Sequence, residues 1–216
     1  MKLIAIETSS DICSIAYIQD GRCKNIIEDK IPRQHAEKLP LFYNELVNES
    51  NFELSNIDAI AVSIGPGSFT GLRIGLSYSK GLAYSHKKPI IPVPTMQSLV
   101  HGYGKTINNI MVIMLSHGNK YFIQNIKDTQ GKVALDKIKV LELNSLNDIK
   151  ELITNSTIIQ YGCDKLVFED GKNIKIFDVV PSSKWIGELA HLNYNKWIVN
   201  EPYKLVPDYV SPFKIG

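Results

Sequence analysis

Residues 57–64 form a short, nearly continuous apolar run that stops at Gly65-Pro66-Gly67 and passes into a helical pattern from about Gly71 to Ser85. Apolar residues at successive positions are what a strand buried on both faces requires. Such a strand needs cover above and below, so this segment places the chain in the α/β class. Around it, Lys2–Glu7, Cys13–Ile18 and Lys24–Asp29 read as strands, with a turn at Asp20-Gly21. Leu39, Phe42, Tyr43, Leu46 and Val47 recur at helical spacing through His35–Glu49. Pro89–Pro94 reads as a further strand and Thr95–His101 as a short helix. A mixed sheet with helices on its faces follows. Beyond a boundary near Asn108, strands are expected at Ile110–Leu115, Tyr121–Ile126, Lys132–Leu141 and Ile158–Tyr161, with helices at Leu146–Ile153 and Ser183–Trp197. Two lobes are expected, 1–108 and 109–216, the second a degenerate echo of the first.

Bulk properties exclude several functions. The chain has 216 residues, 44% of them hydrophobic, which describes a globular protein rather than a disordered one. A net charge of +2, with no basic stripe, argues against gripping nucleic acid alone, since phosphate neutralisation dominates that affinity. The apolar start is too short for a signal peptide or a membrane span, so a cytoplasmic location is expected. Cys13, Cys23 and Cys163 lack CxxC spacing and read as reduced thiols. The five histidines show neither HxxxH nor HExxH spacing, so no metal site is expected, and no GxSxG elbow is present. His35 reads as a helix-start or interface residue. The C-terminal aromatics Trp185, Tyr194, Trp197, Tyr203, Tyr209 and Phe213 lack interleaved basic residues and read as packing onto the body.

Two segments are candidates for chemistry or binding. Gly65, Gly67, Ser68 and Thr70 lie between a strand and a helix, where backbone N–H groups and the helix dipole can hold an anion. The spacing is neither Walker A nor GxGxxG, so a phosphate cradle and a plain strand-to-helix turn both fit. Glu7 and Ser9, in the Glu-Thr-Ser-Ser turn after the first strand, are candidates to face the same phosphate or nucleotide. In the helix, Gly67, Gly71, Gly75, Ser79 and Ala83 recur every four residues on one face, flanked by Leu72, Leu76 and Tyr78. Each helical glycine costs roughly 1 kcal/mol relative to alanine. That cost is tolerable where the small face packs on its own sheet or lets a second helix approach, including one from another chain.

Three segments carry a resemblance: Ile-Glu-Thr-Ser-Ser at 6–10, His-Ala-Glu-Lys-Leu at 35–39 and Gly-Pro-Gly-Ser-Phe-Thr-Gly-Leu-Arg-Ile-Gly at 65–75. In order and spacing the chain resembles the bacterial TsaB (YeaZ) family over about residues 1–100. The resemblance implies an actin-like (ASKHA, ribonuclease H-like) α/β fold of two lobes, each a mixed β-sheet flanked by helices. It implies a non-catalytic subunit, with no catalytic residues and no cofactor of its own, that pairs with the catalytic TsaD. With the ATPase TsaE, such subunits serve formation of N6-threonylcarbamoyladenosine at position 37 of transfer RNAs reading codons that begin with A. ATP and metal belong to the partner subunits, and tRNA is met only through the complex. The implied docking surface comprises His35, Leu39, Phe42, Tyr43, Leu46, Gly71, Leu72, Arg73, Gly75, Leu76 and Ser79, and the same helices are candidates for a homodimer. On this reading Gly65–Gly75 is chiefly a docking element.

Departures from the family pattern fall mostly in the second half. Pro40 stands one residue early, Met114–Tyr121 lacks an Asp and an Arg usual in the family, and Pro207–Ser211 lacks a usual Arg. Two alternatives remain open: a small actin-like ATPase or phosphotransferase using Glu7 and Gly65–Thr70, and, more distantly, a metallopeptidase.

Overall fold

The computed structural model describes residues 1–50, 52–105, 109–129, 132–153, 157–164, 166 and 174–210. The chain divides into two compact units, one of residues 1–98 with 181–208 and the other centred on 99–180. This differs from a division at 108: segment 181–208 belongs with the first unit. Asn108, Ser211 and Phe213 lie outside the described residues.

In the first unit, β1 (Lys2–Glu7), β2 (Ile12–Gln19), β3 (Arg22–Lys30), β4 (Ala59–Gly65) and β5 (Ile90–Pro94) form one sheet in the order β3-β2-β1-β4-β5. The β1, β2 and β3 neighbours run antiparallel, whereas β4 is parallel to both β1 and β5. Alternation along β1 sends Ile4 and Ile6 to one face and Leu3 and Ala5 to the other, all fully buried. The Ile4 face is covered by α1 (His35–Ser50) and α2 (Phe69–His86) through Leu39, Leu46, Leu76 and Ala83. The Leu3 face is covered by α4 (Ser183–Leu192) through Ile186 and Ala190. α3 (Thr95–Tyr103) leads out of β5, and α1 runs through Pro40 without a break.

In the second unit, β6 (Asn109–His117), β7 (Lys120–Thr129), β8 (Lys132–Leu135), β10 (Thr157–Tyr161) and β11 (Lys175–Asp178) are ordered β11-β10-β6-β7-β8, and β9 (Lys139–Glu142) pairs with β7. β6 and β7 are antiparallel, and β10 is parallel to β6 and β11. With β9 set aside as a continuation along β7, both sheets read 3-2-1-4-5 when renumbered within each unit, the actin-like arrangement and the echo anticipated from the sequence.

Three elements differ from the sequence expectation. The strand expected over 132–141 is two: Asp136 N–H still donates to Asn125 O, and after a one-residue shift in register the chain continues antiparallel along β7 as β9, paired with its first half. The helix expected over 146–153 is a 3-10 turn at Leu146–Ile149, whose start is fixed by a Ser145–Asp148 capping box. The helix expected over 183–197 breaks at Asn193, whose side-chain amide donates to Leu189 O at 3.0 Å, and α5 (Tyr194–Trp197) follows.

Candidate functional site

The Gly-rich segment is packed against the turn that follows β1. Ser68 N–H donates to Ser9 O at 2.7 Å, and Thr8 Oγ1 donates to Gly71 O at 2.8 Å. A Cβ on Gly71 would lie 2.1 Å from Thr8 O, and one on Gly75 would lie 2.3 Å from Thr8 Oγ1. Gly65 has φ +120°, a conformation side-chain-bearing residues avoid, and a Cβ there would meet Asp208 O at 2.7 Å. The row of small residues therefore serves close approach of α2 to its own sheet.

That packing corrects the expected docking surface. His35, Leu39, Leu46, Gly71, Leu72, Gly75, Leu76 and Ser79 are all buried within the first unit. They support the helices rather than offer a surface. His35 Nε2 lies 3.1 Å from Ile12 O and ties the start of α1 to β2. Phe42 and Tyr43 remain half-buried and Arg73 exposed, with the Arg73 guanidinium 3.7 Å over the Phe69 ring.

The outward residues of the two helices overlap that set only at Phe42, Tyr43 and Arg73. Ile74, Tyr78 and Leu82, spaced by four along α2, join Phe42, Tyr43 and Val47 of α1 as partly buried apolar side chains on the edge of the core. The Tyr43 and Tyr78 rings meet edge-on at 6.0 Å, and burial pushes the Tyr78 hydroxyl up to about 12. Leu41, at 52% exposed, extends the surface along α1. In the sequence the glycine row is the more conspicuous pattern, although the four-residue spacing of Ile74, Tyr78 and Leu82 marks the apolar face beside it.

Segment 198–208 also contributes, although in the sequence only Tyr203 and the start of Pro207–Ser211 draw notice to it. Val199 and Ile90 exchange two backbone hydrogen bonds. Lys80 Nζ donates to the carbonyls of Tyr203 (3.2 Å) and Leu205 (2.7 Å), and Asp208 N–H donates to Ile64 O at 2.7 Å. Among the C-terminal aromatics, Tyr194 and Trp197 pack on the body as expected, whereas Tyr203 is 68% exposed.

At the loop itself, Ser68 caps α2 by accepting from Gly71 N–H, and Ser68 and Thr70 form an exposed rim. Gly67 is half-buried, where a Cβ would meet Ser9 O at 2.4 Å. Glu7 and Ser9 are fully buried, and Ser9 N–H donates to Glu7 Oε1. Burial drives the Glu7 carboxyl up from its ordinary value of 4.5 to about 7, against the smaller opposing pull of Ser9 and Ser63. Among the described residues, no three His, Cys, Asp or Glu side chains are grouped to hold a metal ion. Cys13 and Cys163 are buried, with burial pushing each thiol up to about 12, and Cys23 is half-buried. No helix among the described residues is long and apolar enough to cross a membrane.

Comparison with known proteins adds to this geometry. The family model described as "TsaD: tRNA N6-adenosine threonylcarbamoyltransferase" matches residues 24–156. The chain is 35% identical over 102 residues to the Escherichia coli tRNA threonylcarbamoyladenosine biosynthesis protein TsaB, covering 47% of this chain and 44% of that one. It is 29% identical to the Buchnera aphidicola TsaB over 97% of both chains. Against the E. coli and Haemophilus influenzae TsaB proteins, the chain spans about half of their length, 44% and 55%. A crystal structure from Pseudomonas aeruginosa, described as a protein with similarity to peptidase YEAZ, superposes with a TM-score of 0.79 at 23% identity, covering 97% of this chain and 99% of that one. A second P. aeruginosa structure, YeaZ, gives 0.77 at 23% identity over 96% and 99%. With both sheets in the actin-like order and the family model matching more than half its length, the chain belongs to the tRNA N6-adenosine threonylcarbamoyltransferase family and, within it, to the TsaB (YeaZ) group.

Proposed function

We propose that this chain is a non-catalytic scaffold subunit in the formation of N6-threonylcarbamoyladenosine on transfer RNA, and that it docks the catalytic subunit TsaD through the outer face of α1 and α2. The pathway is supported by the names its relatives carry. The docking role rests on one observation: Phe42, Tyr43, Ile74 and Tyr78 form a part-open apolar seam between two helices whose inner faces are anchored. On this reading the chain works in the cytoplasm, joins TsaE and tRNA only within the complex, needs no cofactor of its own, and pairs with itself through the same seam when isolated. The burial of Glu7 and the packing of Gly67 on Ser9 support a subunit without turnover.

The test pairs Phe42→Ser with Tyr78→Ser and measures co-purification with TsaD and the modified nucleoside in tRNA. Loss of both at unchanged folding is expected; full retention of the complex refutes the docking face. The exposed Ser68–Thr70 rim at the start of an 18-residue helix favours a second reading, a small ATPase or phosphotransferase. Magnesium-dependent ATP binding with turnover by the isolated chain would replace the scaffold reading.

A further inference from the structure

Glu7 lies in a closed polar cluster that the docking role does not use. It pairs with Ser14 across the β1–β2 ladder. The parallel register Ile6↔Val62 brings Ser63 beside it on β4. Ser14 Oγ lies 2.6 Å from Ser183 Oγ in the first turn of α4. Glu7, Ser9, Ser14, Ser63 and Ser183 are all fully buried. One edge of the carboxyl, Oε1, accepts from Ser9 N–H. The other, Oε2, makes no well-formed hydrogen bond, and neither do the Ser9 and Ser63 hydroxyls. Oε2 thus sits buried beside two serine hydroxyls, with dipoles but no positive charge around it.

An ionised carboxylate needs a cation or several N–H donors to survive such burial. The neighbouring elements supply neither. The charged or titratable groups felt by Glu7 are Glu28 of β3 and Cys13 of β2, which are acidic or neutral. The start of α4 would favour a negative charge. Its first N–H groups are already taken, however, Ser183 N–H by Ser14 Oγ and Lys184 N–H by Ser182 Oγ. α2 adds no charged group here, only Gly71 and Gly75 against Thr8. The serine hydroxyls can donate to the carboxylate, but they do not replace a cation, so taking up a proton removes the cost of a buried charge: the carboxylic acid then donates from Oε2 to a serine hydroxyl and leaves the cluster neutral.

We propose that Glu7 is a proton-binding site, holding its proton inside this cluster in the folded chain, and that releasing the proton weakens the first unit around the β1–β4–α4 contact. The sign follows from linkage. The folded chain holds the proton more tightly than the unfolded one, so stability is greatest at low pH within the window and falls as pH rises through the folded value. With an ordinary value of 4.5 and a folded value of about 7, the unfolding constant rises about 70-fold between about pH 5 and pH 8.5 from this group alone.

The experiment measures urea unfolding of the full chain at pH 5, 6, 7 and 8.5 for the wild type and Glu7→Gln, which keeps the shape and fixes the neutral state. The expected result is a wild-type unfolding constant that climbs by tens of fold over this range relative to a Glu7→Gln profile without that component. A variant with the wild-type pH dependence overturns the proposal. Infrared spectroscopy of the wild type serves independently of the variant's folding: a protonated carboxylic acid band at pH 6 that disappears at pH 8.5 supports the proposal, and its absence at pH 6 overturns it. Stability at pH 8.5 that is restored by magnesium or sodium chloride in the wild type but not in Glu7→Gln would make Glu7 a cation ligand and likewise overturn it.

Discussion

Both sheets place a central strand between an antiparallel hairpin and two parallel strands, yet their surroundings differ. In the first unit α1, α2 and α4 lie on the two faces of the sheet, and β5 is buried at Ile90, Ile91 and Val93. In the second, the cluster around Met111, Ile113 and Ile158 is closed by Leu143, Leu146 and Ile149 from a connection whose only regular element among the described residues is one 3-10 turn. Outer strands there leave Val133 at 59% and Leu135 at 44% exposed. The same topology thus supports a tightly fitted body with glycine contacts at atomic clearance and a second body closed by irregular chain. The three motifs that carry the resemblance lie in the first unit, whereas the family model runs over residues 24–156, into the second.

Four substitutions test that contrast, and unfolding can be followed by tryptophan fluorescence because Trp185 and Trp197 both lie in the first unit. Leu39→Ala, at a fully buried site under α1, is expected to cost about 4 kcal/mol in urea denaturation. Gly71→Ala is expected to cost about 3 kcal/mol, because its methyl group meets the backbone oxygen of Thr8, which cannot rotate away. Leu146→Ala is expected to cost less, about 2 kcal/mol by circular dichroism, since an irregular cover can collapse into the space left behind. A larger loss at Leu146 than at Leu39 would reverse the contrast. Gly81→Ala is the smallest effect and opposite in sign, a gain of about 1 kcal/mol in urea midpoint measurements, because a Cβ there meets nothing within 4 Å.

The sequence made much of the first unit legible because its signals are local and strong. The apolar run 57–64, the glycine turn and the periodicity of 35–49 each coincide with β4, its loop and α1 to within a few residues. Less legible was which face of α2 looks inward. Gly71, Gly75 and Ser79 at four-residue spacing suit a neighbouring helix and a neighbouring strand turn equally; only the position of Thr8 decides, and Thr8 is 63 residues away from Gly71 in sequence. The break at Asn193 depends on a single side-chain hydrogen bond, and the split between β8 and β9 on a one-residue shift in register, neither of which periodicity encodes. The return of 181–208 to the first unit was invisible because the apolar face of α4, Ile186 and Ala190, suits either sheet, and the anchors of 198–208 are backbone groups and the carbonyl-seeking Lys80. For the loop, Glu7 and Ser9 do come together with Gly67 and Ser68 as expected, but burial gives them a closed setting that residue types alone do not reveal.

The exchange of hydrogen bonds between Val199 and Ile90 has a bearing on how the chain is made. β5 is the outermost strand of its sheet, and its unpaired backbone groups would otherwise be a template for another chain. Val199 emerges from the ribosome only after segment 99–180 of the second unit. The sheet of the first unit is therefore completed only after most of the second has been made, and throughout that interval its open edge depends on Pro92 and Pro94, which lack N–H groups to offer, to discourage wrong pairing with neighbouring nascent chains.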